Sequence, residues 1–338
     1  MLRVAGCDPG TSSLDLVVLE NGRVVDQVRF LPDQLSEDVQ APIRWLQQFQ
    51  PLDWIAGPSG YGLPLISAKE CGTRERQFMS LVRPDERGQQ TGIDSFSRLL
   101  DAFIHSGLPV VFLPGVIHLP TVPIHRKFNR IDLGTPDKLA VATLALAQSQ
   151  EDTFAVVELG SAFTAVLVVE NGRIVDGVGG TTGPAGWRSS GTWDGELAYL
   201  LSPLMKQDLF SGGICETTDV DLQASWLCEA LRRTVAGMQA VTSFTSIHVS
   251  GKLLEDEPDL SRLVLDALAT LGQVQKIAPL HKVWVKHAAQ GAALLADGLA
   301  GGSFSELTDR LAIRESSGTV LDWLVHPKAR AIQTLFDS

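Results

Sequence analysis

Two stretches of this chain, residues 6–25 and 156–175, align without a gap at an offset of 150 residues. Glu20-Asn21-Gly22-Arg23 returns as Glu170-Asn171-Gly172-Arg173, and Asp8 falls on Glu158, Gly10 on Gly160 and Thr11 on Ser161. In a chain of 338 residues, a repeat at that spacing predicts two similar domains, each with a core of its own. In both copies an apolar run (Leu16–Leu19, Val166–Val169) meets Asn-Gly, and Val-Val or Ile-Val follows shortly after. Asn-Gly between β-branched runs predicts a hairpin with a type I′ turn, whose two central residues need positive φ. A second tight turn precedes each hairpin: Asp8-Pro9-Gly10-Thr11 and Glu158-Leu159-Gly160-Ser161. Each half therefore opens as an antiparallel meander whose first connection is small, polar and glycine-containing.

Helical and buried-strand patterns follow each meander. The first half predicts helices over 41–49, 93–105 and 136–147, strands over 53–56 and 109–113, and a Pro- and His-rich connection over 114–131. Thr135 stands at the N-cap of the third helix and Pro136 at its first position. The second half predicts helices over 222–241, 260–270 and 287–299 and strands over 246–249 and 283–285. The tail, 303–338, reads as helical with a break near Pro327.

The chemistry sits in the acid-x-Gly-hydroxyl turns. A turn of small hydroxyl residues surrounds a phosphate with N–H and O–H donors, and glycine lets the backbone come close. Thr11, Ser12, Ser13 and Ser161 are the candidate donors, with Gly10 and Gly160 beside them. Mg²⁺ takes one or two carboxylates plus phosphate oxygens, so Asp8 and Glu158 are the candidate metal residues, through the ion's water shell. One such turn alone reads equally well as solvent-facing; its recurrence argues for two loops clamping a triphosphate from both sides.

Other classes find little support. A net charge of −11 with no dense Lys or Arg run argues against nucleic-acid or anionic-membrane partners. Four scattered cysteines, Cys7, Cys71, Cys215 and Cys228, fit neither a zinc site nor a disulfide framework and point to a reducing compartment. No signal peptide or membrane span is read, so the cytoplasm is the expected location. Walker A, Rossmann and nucleophile-elbow motifs are absent, and the seven histidines show no ligand spacing.

The first turn, Asp8 to Ser13, resembles the first phosphate loop of the actin-like ATPase superfamily, which includes acetate, butyrate and sugar kinases and heat-shock chaperone ATPases. Glu158 to Asp176 resembles its second phosphate loop. Ser246 to Lys252 is similar to its adenosine segment, implicating Ser250, Gly251 and Lys252, and Ala288 to Ala293 is similar to the small-residue helix between domains. Butyrate kinase and its predicted relatives are more similar still, through the Pro123–Phe128 and Asp137–Ala142 segments and through Gly183-Pro184 followed by Arg188–Gly191. The resemblance implies an α/β chain of two duplicated ribonuclease H-like domains, 1–135 and 136–300, with ATP and Mg²⁺ in the cleft between them. Residues 301–338 are expected to form a helical tail that packs back on the first domain. It implies a phosphotransferase whose acceptor is a small carboxylate, and pairing of two chains as a homodimer. Two positions depart from the pattern: Pro58 stands where an acyl-facing arginine is expected, and Asp15 where a basic residue is usual. The loss at Pro58 motivates an alternative, an ATP-hydrolysing switch acting on a partner protein.

Arg126 and Asp132 complete the catalytic candidates beside Asp8 and Glu158. Arg126 is expected to bind the transferring phosphoryl group or an anionic substrate, with Arg74, Arg76 and Arg188 as further candidates. Asp132 and Lys138 flank the start of a helix where an anion or metal-bound water fits, and a capping role suits Asp132 equally. His125 stands in the same basic cluster as Arg126, and Trp187 or Trp193 would line a substrate pocket.

Overall fold

The computed structural model describes residues 1–87 and 92–336. In the first half, β1 (Arg3–Pro9), β2 (Leu14–Glu20) and β3 (Arg23–Phe30) form the expected meander, joined by β4 (Trp54–Ala56), β5 (Ile66–Ser67) and β6 (Val110–Phe112). In the second, β7 (Phe154–Leu159), β8 (Thr164–Glu170) and β9 (Arg173–Val178) repeat it, followed by β10 (Ser246–Ser250) and β11 (Gln273–Lys276). The two sheets run β3-β2-β1-β4-β6-β5 and β11-β10-β7-β8-β9. β4 and β6 continue β1 in parallel as β10 and β11 continue β7, so both halves share one topology, with β5 added at the first sheet's edge.

The repeat extends to backbone detail. Asn21 and Gly22 have φ of 47° and 74°, and Asn171 and Gly172 have 51° and 71°, the positive pairs a type I′ turn requires. Each hairpin also shifts register at the same place, between Val18 and Leu19 and between Val168 and Val169. Along β7 the period of two divides the side chains: Phe154 and Val156 enter one core, and Ala155, Val157 and Leu159 enter the other. The second core is closed by helices Val220–Gln239 and Pro258–Ala269, through Leu227, Leu231, Val264 and Leu268.

Two 13-residue helices, Pro136–Gln148 and His287–Leu299, lie between the halves. Close approach is built into their sequences. A Cβ on Gly291 would lie 1.8 Å from the Ala140 carbonyl oxygen, and one on Gly6 of β1 would lie 2.2 Å from that of Ala289. Ala288 to Leu299 are all buried, as expected of a helix that is small and apolar all round.

The strand expected over 283–285 does not form. Val283 and Val285 are buried, but the Trp284 N–H donates to the Gln27 side chain and makes no sheet ladder. The fifth strand is instead Gln273–Lys276, whose single apolar residue hides it from a pattern search. The tail contains two short helices, Ser305–Arg310 and Ala329–Thr334, and lies against the first half. Phe336 stacks on Phe78 at 5.7 Å between ring centroids, and the Asn129 N–H donates to the Trp323 carbonyl at 3.0 Å.

Candidate active site

The β1–β2 and β7–β8 turns face each other in a cleft of about 1330 Å³. The Thr11 and Ser161 hydroxyls meet across it, Oγ1 to Oγ 2.7 Å. These are equivalent positions of the repeat, so the two copies of the turn meet at matching hydroxyls.

The acids are held by the same symmetry. Asp8, buried at the end of β1, lies 3.5 Å from Lys286 Nζ, and Glu158, buried at the end of β7, lies 2.8 Å from Lys138 Nζ. Lys138 opens helix Pro136–Gln148, which packs on β7 and β8, and reaches the second turn; Lys286 caps helix His287–Leu299, which packs on β1, β2 and β4, and reaches the first. Burial pushes both carboxyls above their usual range, each lysine opposing it. Lys138 also lies 2.7 Å from Asp137 Oδ2, and Thr135 Oγ1 donates to the other Asp137 oxygen. Burial works against the charge on Asp137, but Lys138 and Thr135 outweigh it and hold that carboxyl low. Thr135 is thus at the N-cap, as expected, with its hydroxyl spent on Asp137.

Asp132 borders the cleft beside Gly179 and Gly180, and its Oδ1 accepts from the Gly134 N–H at 2.7 Å. Burial pushes its carboxyl up to about 6. Asp15 explains its own departure from a basic residue. It accepts from Ser13 Oγ at 2.7 Å, from Arg29 Nη2 at 2.7 Å and from the Lys286 N–H at 2.8 Å, so it clamps the first turn to the helix of the other half. The Ser13 proton is therefore engaged by Asp15, against the expectation that it donates to phosphate. Ser12 Oγ, by contrast, is buried and has no hydrogen-bond partner among the described residues.

Ser250 pairs in register with Glu158, and its Oγ lies 2.8 Å from His287 Nδ1. Gly251 has φ of 123°, and a Cβ there would meet the Leu159 carbonyl oxygen at 2.1 Å, so this bend accepts only glycine. Lys252 borders the cleft but lies 2.5 Å from Asp256 on its own short helix. Arg188 also borders it, donating from Nε to the Ser161 carbonyl at 3.1 Å.

Arg126 is a correction. Its Nη1 donates to the Val175 carbonyl at 2.9 Å and lies 3.4 Å from Asp176, pinning helix Ile124–Lys127 to β9, and it does not border the cleft. A basic cluster in sequence became a structural anchor because the short helix turns this side chain toward the second sheet. Arg74, over the Phe78 ring, and Arg76, paired with Asp101, also lie outside the cleft lining, as do His125, Trp187 and Trp193.

The family model described as "Protein of unknown function (DUF1464)" matches residues 6–326. The chain belongs to the DUF1464 family. A search of curated proteins finds no match for this DUF1464 chain. Among solved structures it is similar to an acetate kinase from Entamoeba histolytica, at TM-score 0.56 and 10% identity over 80% of this chain and 87% of that one. It is similar also to a propionate kinase from Francisella tularensis, at TM-score 0.56 and 11% identity over 87% of this chain and 98% of that one. These likenesses, with the duplicated sheets, establish the actin-like ATPase fold. Among the described residues of the DUF1464 chain, no helix is long and apolar enough to cross a membrane.

The donor set fits a magnesium nucleotide. Two carboxylates end the central strands, Thr11, Ser161 and the unpartnered Ser12 oxygen line the turns, and two lysines stand behind them. Lys286, Asp137 and His287 were missed in the sequence. Lys286 carried a signal, since it precedes its helix much as Lys138 opens its own; Asp137 and His287 became visible only when the helix ends met the turns.

Proposed function

We propose that this protein is an ATP- and Mg²⁺-dependent phosphotransferase whose acceptor is a carboxylate. The observation carrying this reading is the matched pairing, Lys286 to Asp8 and Lys138 to Glu158, around the touching hydroxyls of Thr11 and Ser161. Each half supplies a turn, and each turn is held by a lysine at the start of the helix that packs on that turn's own sheet.

In this reading Thr11, Ser12 and Ser161 donate to phosphate oxygens, and Lys138 and Lys286 supply fixed positive charge. Ser250 and Gly251 form the floor for adenosine. Asp8 and Glu158 are the residues that would hold Mg²⁺ through its water shell; when bound, the ion neutralises charge on the phosphates. A carboxylate oxygen of the acceptor attacks the γ-phosphorus. The bond from that phosphorus to the β–γ bridging oxygen breaks, and its electron pair leaves with ADP. No proton has to move, because the acceptor is already ionised. Catalysis then rests on positioning and charge stabilisation, and closing the cleft keeps water from the γ-phosphorus.

Buried Pro58, in the place of the expected arginine, supports a second reading: hydrolysis of ATP coupled to a partner protein. ADP release with and without a carboxylic acid separates the two. Acid-stimulated release with an acyl phosphate trapped by hydroxylamine supports the kinase; basal release unaffected by any acid supports the switch. The absence of an ATP-dependent rise in Tm with Mg²⁺ would remove both.

A further inference from the structure

The cleft is larger than a nucleotide needs, and its far end is apolar. At about 1330 Å³ it exceeds the usual 300–1,000 Å³ of a single-ligand pocket. Beyond the phosphate turns its walls are Tyr61, Phe96, Leu113, Ile131, Phe210 and Phe336, drawn from both halves and from the tail. Phe210 packs edge-on against Phe163, two residues past Ser161, so the apolar end begins where the second phosphate turn stops.

One cation is set into this wall. Lys206, on the segment that crosses from the second half, donates from its backbone N–H to Glu86 Oε2 at 2.6 Å and from Nζ to the Tyr61 hydroxyl at 2.8 Å. Its ammonium lies 4.3 Å from the Tyr61 ring centroid, and among the described residues the carboxylate its charge acts on is Asp132, without a direct ion pair. Arg83 also borders the cleft, but it is occupied by Glu86 and Asp85. Tyr61 follows the Gly57–Gly60 segment directly, so Lys206 brings a positive charge from the opposite half to the segment where Pro58 carries none.

We propose that the acceptor is an amphipathic carboxylic acid whose apolar body, larger than that of a short-chain acid, fills this chamber and whose carboxylate is held by Lys206. The proposal rests on the phosphotransferase reading and names its substrate class: the products are ADP and the acyl phosphate of that acid. An ammonium set over an aromatic ring, on the wall of an apolar chamber and not ion-paired directly, suits one anionic head on an apolar body. Tyr61 holds Lys206 in place without neutralising it.

The experiment is titration calorimetry of the intact protein, with Mg²⁺ and a non-hydrolysable ATP analogue, using butyrate, hexanoate, decanoate and decanol. Affinity is expected to rise about threefold to fourfold for each methylene of the acid. Decanoate should bind at least tenfold tighter than decanol. Lys206→Met should erase that preference for the acid, while Lys206→Arg, which keeps the charge, retains it and controls for folding. Butyrate binding as tightly as decanoate would overturn the proposal, as would an unchanged acid preference in a folded Lys206→Met protein. The phosphotransferase reading fails separately: if decanoate binds as expected but yields no hydroxylamine-trapped product with ATP, the site stands and the reaction does not.

Discussion

Thr11 and Ser161 are 150 residues apart and their hydroxyls touch at 2.7 Å. Each partner sits at the same position of the repeat and belongs to the turn expected to clamp phosphate. When a nucleotide enters, both hydroxyls exchange one another for phosphate oxygens, so each is expected to contribute about 1–2 kcal/mol to binding. Thr11→Ala and Ser161→Ala should each weaken Mg·ATP binding about 5- to 30-fold by calorimetry. The double variant should lose less than the sum, because the residues share one ligand and one contact. Independent, additive losses would count against a shared phosphate site.

Asp8 and Glu158 are predicted to be needed for turnover and dispensable for the fold. Asp8→Ala and Glu158→Gln should each lower kcat at least about 100-fold, the scale seen when a group stabilising transition-state charge is removed. Circular dichroism should stay native, although Asp8→Ala leaves Lys286 without its carboxylate and costs some stability. Full turnover by a folded Asp8→Ala protein would sink the site assignment.

The seam between the two crossover helices tolerates no side chain at Gly291. A Cβ there would overlap the backbone of Ala140, which cannot move aside as a flexible side chain would. Gly291→Ala should destabilise the protein by about 1–3 kcal/mol or more. Gly237, on helix Val220–Gln239, is the control: nothing lies within 4 Å of its added Cβ, so Gly237→Ala should stabilise by about 0.5–1 kcal/mol. Thermal melts of the two variants should move in opposite directions.

Asp132 links stability to pH. Its carboxyl is raised to about 6 in the folded chain, whereas an unfolded carboxylate titrates near 4. The native state therefore binds more protons in that window, and the stability present below it is lost as pH rises through about 4 to 6. Asp132→Asn keeps an oxygen for the Gly134 N–H and removes the charge, so it should stabilise the protein at pH 7 by about 1–3 kcal/mol and flatten its profile. Urea melts at pH 4.5 and 7 check the sign. Equal Asp132→Asn effects at both pH values would show that the charge is not the cause.

What the sequence determined by itself was local and periodic. The Asn-Gly turns, the meanders they close and the equivalence of Asp8 with Glu158 and of Thr11 with Ser161 depend on neighbouring residues and on a period of two, and all were legible before any coordinates. So was helix His287–Leu299, whose small residues leave one mode of packing. The tertiary structure alone decided which charges meet. Arg126, in a basic cluster, was turned to Asp176 and left the cleft, whereas Lys286 and Lys206 were carried to Asp8 and Tyr61 by helix and chain paths that no local pattern encodes. Valines 283 and 285 read as a strand, but their backbone joins neither sheet; the Gln27 side chain serves the Trp284 N–H instead. Backbone conformation answers to near neighbours, while the partner of a long charged side chain depends on the placement of elements distant in sequence. That is why the phosphate turns could be read from the sequence and the lysine beside Tyr61 could not.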